Sequence, residues 1–183
     1  MTRTTRAHEC SDANDALIAL CRDDWIASGR RAVVFIDPYA TQVRYSTLEA
    51  IARTRAMDVW ILFPLMAANR MLARNGRIPE KWSQRLDELL GTEDWKTELY
   101  GTRKSPGLFG QAEVDVVKRQ WSAIGQLFVA RLRSSFVGVS KNVKVLLSST
   151  LSPLFMLCFA ASNPKGAKIA VRIADHILKR ADF

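Results

Sequence analysis

Two apolar runs, Ala32 to Ile36 and Val59 to Phe63, each stop at a proline, Pro38 after Asp37 in one case and Pro64 in the other. Apolar residues in unbroken succession, without a polar partner at every second position, suit a strand covered on both faces. Proline then ends the ladder, because it has no N–H to donate. Between the runs lies a segment of helical character. Ser46 and Glu49 stand at capping-box spacing, and Leu48, Ile51 and Ala52 supply one apolar face. A strand, a helix and a second strand in that order predict a parallel pair. No other pair of segments limits the fold so tightly.

The flanking sequence extends this α/β pattern. Ser11 to Ala27 reads as a helix capped by Ser11 or Asp12, with Ala16, Leu17, Leu20 and Cys21 on its apolar side. Leu65 to Asn75 reads as a helix closed by Gly76, and Pro79 to Leu90 as another with Trp82, Leu86 and Leu89 inward. The Gly- and Pro-containing stretch from Gly101 to Gly110 predicts a loop. A long helix is expected after it, over Glu113 to Ser134, with Val114, Val117, Trp121, Ile124, Phe128 and Leu132 at three- and four-residue steps. Near the end, Val143 to Ser148 and Leu154 to Ala161 read as strands. Their connection is too short for a helical crossover, so the pair should be antiparallel. A last helix follows Asn163 and Pro164, with Ile169, Ile173 and Ile177 on its buried face. The expected fold is one α/β domain over residues 1–183, a mostly parallel sheet ending in an antiparallel hairpin and flanked by helices.

Composition excludes several classes. No segment reaches the run of about 18 apolar residues that would span a membrane; the nearest, Val145 to Ala161, is interrupted by Ser148, Ser149, Thr150, Ser152 and Pro153. No apolar stretch follows the first residues as a secretory signal would require, so a cytoplasmic location is expected. Cys10, Cys21 and Cys158 are scattered and the two histidines, His8 and His176, are far apart, so neither a metal site nor a disulfide framework is expected. Each cysteine reads as a small buried apolar residue, and His176 as a surface residue. The net charge is +9, and Gln111 to Phe183 carries eleven Lys or Arg against four Asp or Glu, so +7 of it lies there. Such a surplus suits either an acidic partner such as nucleic acid or a solvated basic surface.

The stretch most suggestive of chemistry is Phe35-Ile36-Asp37-Pro38-Tyr39. It sets a carboxylate at the carboxyl end of a buried strand, where open α/β sheets place their ligands. Enzymes that methylate exocyclic amino groups hold a D/N-P-P-Y/F motif there. The carboxylate and a proline carbonyl hold the amino protons, and the aromatic ring stacks on the base. The same tripeptide also serves simply to end a strand.

From Ser11 to Asn69 the sequence resembles the TcmP (three-Cys-motif partner) family. The matching runs are Asp12-Ala13-Asn14, Phe35 to Tyr39 with Gln42-Val43, Thr47 to Ala52, Asp58 to Pro64, and Asn69 to Leu72. Further similarity lies in Gly91 to Trp95 and in Ala160 to Gly166. The resemblance implies a Rossmann-like class I methyltransferase fold, of which this chain would be the second half. It also implies S-adenosylmethionine as methyl donor, with Asp12 and Asn14 near its adenine, and Asp37, Pro38 and Tyr39 as the acceptor-holding catalytic residues. Arg70, in the family's Asn-Arg pair, would meet phosphate. Arg103 and Lys104 add a plausible nucleic-acid contact in the Gly-Pro loop. Trp60 and Phe63, near the end of the second strand, are candidates to line an acceptor pocket. Helix capping by Asp12 and Asn14, core packing by Trp60 and Phe63, and ordinary exposed cations are the plainer alternatives for these positions.

Two departures from the family bear on function. No Gly-rich strand-to-helix turn precedes Ile36, so the cradle for S-adenosylmethionine is expected to be missing, and Ala40 stands where the family has glycine. The expected molecule is therefore a methyltransferase-like fragment whose ancestral reaction moved a methyl group to a nucleic-acid base. It would be inactive alone, and completed by an N-terminal half or a three-Cys-motif radical-SAM-like partner. A non-catalytic nucleic-acid- or protein-binding module is the competing expectation. The missing half should leave the first strand with a free edge, which favours a homodimer.

Overall fold

The computed structural model describes residues 12–106 and 112–180. In chain order the elements are α1 (Ala13–Cys21), β1 (Ala32–Ile36), α2 (Tyr45–Arg53), β2 (Met57–Phe63), α3 (Leu65–Met71), α4 (Glu80–Leu90) and α5 (Trp95–Glu98). They continue as β3 (Tyr100–Pro106), β4 (Ala112–Lys118), α6 (Trp121–Ser135), β5 (Gly138–Val139), β6 (Lys144–Leu147), β7 (Pro153–Ala161) and α7 (Ala167–Arg180). Among the described helices none is long and apolar enough to cross a membrane.

The main sheet runs β1-β2-β7-β5, with β6 also paired to β7, and β3 and β4 form a separate ribbon. β1 and β2 are parallel, joined by α2, as the sequence predicts. β7 is antiparallel to β2, β5 and β6, so the sheet is mixed and the expectation of a mostly parallel one fails. The cause is the return of the chain. β7 leaves β6 through a short connection that forces antiparallel pairing, then slots between β6 and β2 and so opposes both. The antiparallel hairpin expected near the chain end is thus present and central. β7 is long enough to hold β6 along its first half and β5 at its end.

The core lies mainly on one face of the sheet. Met57, Val59, Ile61 and Phe63 of β2 are buried there with Leu48 and Ile51 of α2, Leu65 of α3, Leu86 and Leu90 of α4, and Ile124, Phe128 and Leu132 of α6. Ala32, Val34 and Ile36 join the same side. Among the described residues only α7 covers the opposite face, over Phe159 and Ala161, with Trp60 against Phe159 at 4.9 Å. Val33 and Phe35 are 68% and 62% exposed, so β1 is not the strand covered on both faces that its apolar run predicts.

Other local expectations also need correction. Residues 112–118 form a strand, because Glu113-Val114-Asp115-Val116 alternates with period two, and the helix starts only at Trp121. α3 ends at Met71 instead of Asn75: Lys118 donates from β4 to the carbonyls of Asn69 and Leu72, and the Tyr100 hydroxyl donates to that of Ala73. α1 stops at Cys21, where the Trp25 indole N–H folds back onto the Leu20 carbonyl. α2 begins at Tyr45 behind Arg44, so Ser46 is no cap, and Glu49 pairs with Arg53. Trp82 faces outward. On α7 the buried residues are Ala167, Ala174 and Leu178, while Ile169, Ile173 and Ile177 are exposed. Small side chains let the helix come close to β5, where a Cβ on Gly138 would lie only 3.0 Å from Val171 and 3.3 Å from Ala167.

Three helices meet at Tyr45. Its ring is buried, edge-on to Phe128 at 6.3 Å, and the Arg131 guanidinium lies 5.0 Å from its centroid. The Tyr45 hydroxyl donates to the Arg131 carbonyl and shares a bond with Ser135. Arg131 in turn donates to the carbonyl of Gly91, the left-handed residue (φ 66°) that ends α4. A Cβ on Gly91 would lie 2.3 Å from the Tyr45 ring. Gly91→Ala therefore combines left-handed strain with overpacking, and should cost about 3 kcal/mol in a denaturant titration. A midpoint unchanged from the parent would mean that α4 does not end against Tyr45.

Candidate acceptor groove beside the first strand

The groove is built from two loops clasped by one side chain. Asp12 caps α1, accepting from the backbone N–H groups of Asn14 and Asp15 at 2.9 and 3.2 Å. Asn14, on the first turn, points inward and is 4% exposed. Its Oδ1 accepts from the Arg44 backbone at 2.9 Å and from the buried Thr47 hydroxyl at 2.9 Å, while Nδ2 donates to the Gln42 carbonyl at 3.0 Å. The start of α1 is thereby tied to the start of α2. Arg44 closes the clasp outside, 3.0 Å from Asp15 and 3.5 Å from Asp12. Hydrogen bonding from Asn14 and then from the Asp15 backbone holds the Asp12 carboxyl below its ordinary range, with Arg44 adding to it. A depressed folded-state pKa means that this cap stabilises above the unfolded value and is lost as pH falls through the folded one.

Residues 37–42 leave the carboxyl end of β1 and form the opposite wall. Pro38 is buried, whereas Asp37 and Tyr39 are exposed, Tyr39 at 82%. The Tyr39 carbonyl accepts from Gln42 at 3.3 Å, and Ala40 turns the chain with φ 52°. An L-residue in that region carries strain that glycine lacks. The Asp37 carboxylate accepts no hydrogen bond from any described residue, so it neither caps this turn nor serves the core. Between the walls is a cavity of about 670 Å³. Asp12 and Asn14 line one side, and Asp37, Pro38 and Tyr39 the other.

The groove therefore gathers five of the residues singled out in the sequence. Their states differ. Asn14 spends three of its hydrogen bonds on the chain itself and Asp12 is occupied as a cap, which is the plainer of the two readings for each. Asp37 and Tyr39 are free to meet a ligand. Trp60 packs on Phe159 and Phe63 stacks on Phe128 at 4.1 Å, so both serve packing. Arg70 is exposed on α3 and Arg103 is exposed on β3 of the ribbon, away from the groove lining. Lys104 also belongs to β3, with its side chain outside the described residues. The two arginines are thus not part of one cluster with Asp37. Sequence reasoning missed Asn14 as the clasp, and missed Gln42, Arg44 and Thr47 as its partners. A polar residue on the apolar side of a short helix was the available signal.

Compared with known proteins, the chain matches no family model, no curated protein and no solved structure. Among the described residues no group of His, Cys, Asp and Glu could hold a metal ion. Cys158 is wholly buried, its thiol pushed up to about 12 by loss of solvent, and so is inert.

Two substitutions separate the parts of the groove. Asn14→Ala orphans the Thr47 hydroxyl and the Arg44 N–H and should cost about 2–3 kcal/mol. Asp37→Ala, with no partner to orphan, should stay within about 0.5 kcal/mol of the parent. Denaturant midpoints read both, and an Asp37→Ala loss as large as that of Asn14→Ala would make Asp37 structural. Ala40→Gly relieves the left-handed strain and should raise stability by about 0.5–1 kcal/mol in the same titration. A lower midpoint would show that the turn is not strained in solution.

Proposed function

We propose that this chain is the acceptor-side module of a methyltransferase-like protein, and that its groove receives the exocyclic amino group of a nucleic-acid base. The observation that carries the reading is the unused carboxylate of Asp37. It lies at the carboxyl end of a strand paired in parallel, beside an exposed aromatic, on a cavity large enough for a nucleoside-sized ligand. A carboxylate that accepts nothing from the described residues can accept the N–H protons of an amino group. Tyr39 offers a ring face for stacking. The resemblance to the three-Cys-motif partner family assigns the same roles to the same residues, and the parallel pair leading into an antiparallel hairpin suits the second half of such a sheet.

For S-adenosylmethionine the described residues do not fit. No glycine-rich strand-to-helix turn is found among them, and both polar groups that would face the adenine, Asp12 and Asn14, are committed to the chain. What this module contributes is acceptor binding and orientation. The donor pocket would be supplied by another part of the protein or by a partner such as a three-Cys-motif radical-SAM-like chain. A second reading, binding of nucleic acid without chemistry, rests on the basic second half of the sequence and the exposed Arg103 on the ribbon.

Fluorescence anisotropy with single-stranded oligonucleotides separates the two readings. Strands of adenine or cytosine, which carry the amino group, should bind more tightly than strands of thymine, and Tyr39→Ala should weaken them about 5–100-fold. Equal affinity for all strands, unaltered by Tyr39→Ala and lost steeply with salt, would leave only the charge-driven reading. Calorimetry with S-adenosylmethionine should give no dissociation constant tighter than about 10 µM.

A further inference from the structure

Among the described residues β1 has a neighbour on one side only, and its outward edge is self-complementary. The Ala32 N–H donates to the Ala56 carbonyl toward β2. Alternation along a strand then turns the N–H and C=O groups of Ala32, Val34 and Ile36 toward β2, and those of Val33 and Phe35 outward. Val33 and Phe35 are also the side chains on the uncovered face, at 68% and 62% exposure. Arg31 and Asp37 flank them at the same parity, and both are exposed. Backbone edge and side-chain face therefore present the same series: a cation, two apolar residues and an anion.

We propose that a second copy of this chain pairs antiparallel along β1, centred on Val34, to form one continuous sheet. Only residues of odd number can exchange hydrogen bonds across the new edge, which leaves few registers. In the one centred on Val34, Val33 faces the second copy's Phe35, Phe35 faces its Val33, and Arg31 faces its Asp37 at both ends. Registers centred on Val33 or Phe35 set an apolar side chain opposite a charge. Pro38, without an N–H, ends the pairing just past Asp37. The net charge of +9 opposes self-association, but the Debye length of about 8 Å at physiological ionic strength confines that repulsion. A strand pair of this length buries less than about 1,200 Å², so the dimer is expected to be weak, with a dissociation constant of about 10–100 µM. The pairing is independent of the methyl-transfer reading, although a base held by Asp37 would compete with the second copy's Arg31.

Sedimentation velocity over a concentration series, without nucleic acid, tests the pairing on the full chain. The parent should pass from monomer to dimer. Arg31→Asp and Asp37→Arg should each weaken association at least about tenfold, since like charges then face each other at both ends. The double variant restores opposite charges and should recover the dimer. Ile173→Asp, on the exposed stripe of α7, should leave it unchanged. Hydrogen exchange supplies a second readout: the amides of Val33 and Phe35 should gain protection with concentration, while those of Ala32 and Val34 are protected throughout. A monomer at every concentration up to about 200 µM would overturn the proposal. So would single variants without effect, a double variant that fails to recover, or a dimer broken by Ile173→Asp.

Discussion

The buried carboxamide of Asn14 is the fixed point from which the groove takes its shape. A buried amide must satisfy its donors and acceptor inside the protein, and Asn14 does so by reaching two loops distant in sequence, at Gln42 and at Arg44 with Thr47. This clasp holds the first turn of α1 against the turn that leads into α2. Because Pro38 is buried and Ala40 is held in a left-handed conformation, the short loop between β1 and α2 has little freedom left. Asp37 and Tyr39 are then displayed outward by a loop anchored at Pro38, Gln42 and Arg44. Rigid support beneath an unengaged carboxylate is what a binding site needs, and it is costly if the carboxylate does nothing.

How far the fold could be read from sequence depended on which physical signal each segment carried. β1, β2 and β7 were legible because proline stops bounded their apolar runs or a short connection forced their direction. Their coverage was not. An apolar run says that a strand tolerates burial on both faces, whereas the fold covers β1 on one. The α7 helix shows the same limit from another side. Ile169, Ile173 and Ile177 have the periodicity of a buried stripe, yet the helix docks through Ala167, Ala174 and Leu178. The approach of a helix to Gly138 is decided by side-chain size, which hydrophobicity does not record. At residues 112–118 two periods compete, and the charged alternation of Glu113 and Asp115 overrides the helical spacing of Val114 and Val117.

The candidate site was legible where residue chemistry and backbone coincide. Asp37, Pro38 and Tyr39 stand out because a proline after a carboxylate marks both a strand end and an acceptor-holding motif, and the structure leaves that carboxylate unengaged on an open groove. Asp12 and Asn14 were legible as a pair but not in role, since capping and ligand contact demand the same polar atoms. Only tertiary partners, Thr47 above all, distinguish the two. Ala40 shows the reverse case. The alanine is plain in the sequence, but the left-handed backbone that makes it matter is visible only in the fold.

The exposed edge of β1 and the free carboxylate of Asp37 follow from one alternation. With Ala32 bonded toward β2, Val33 and Phe35 turn their backbone to the open edge and their side chains to the uncovered face, and Arg31 and Asp37 flank them. Whatever pairs with β1 must therefore pass beside Asp37. A strand from a second copy would bring Arg31 to it, and a strand from a donor-binding half would instead close the groove around it. The occupant of the edge thus sets the electrostatic surroundings of the proposed acceptor site, with a local cation in the first case and a drier, less screened cavity in the second. Since an amino group is held best by a carboxylate with no competing cation, the proposed edge pairing and the proposed base binding would compete for this single residue.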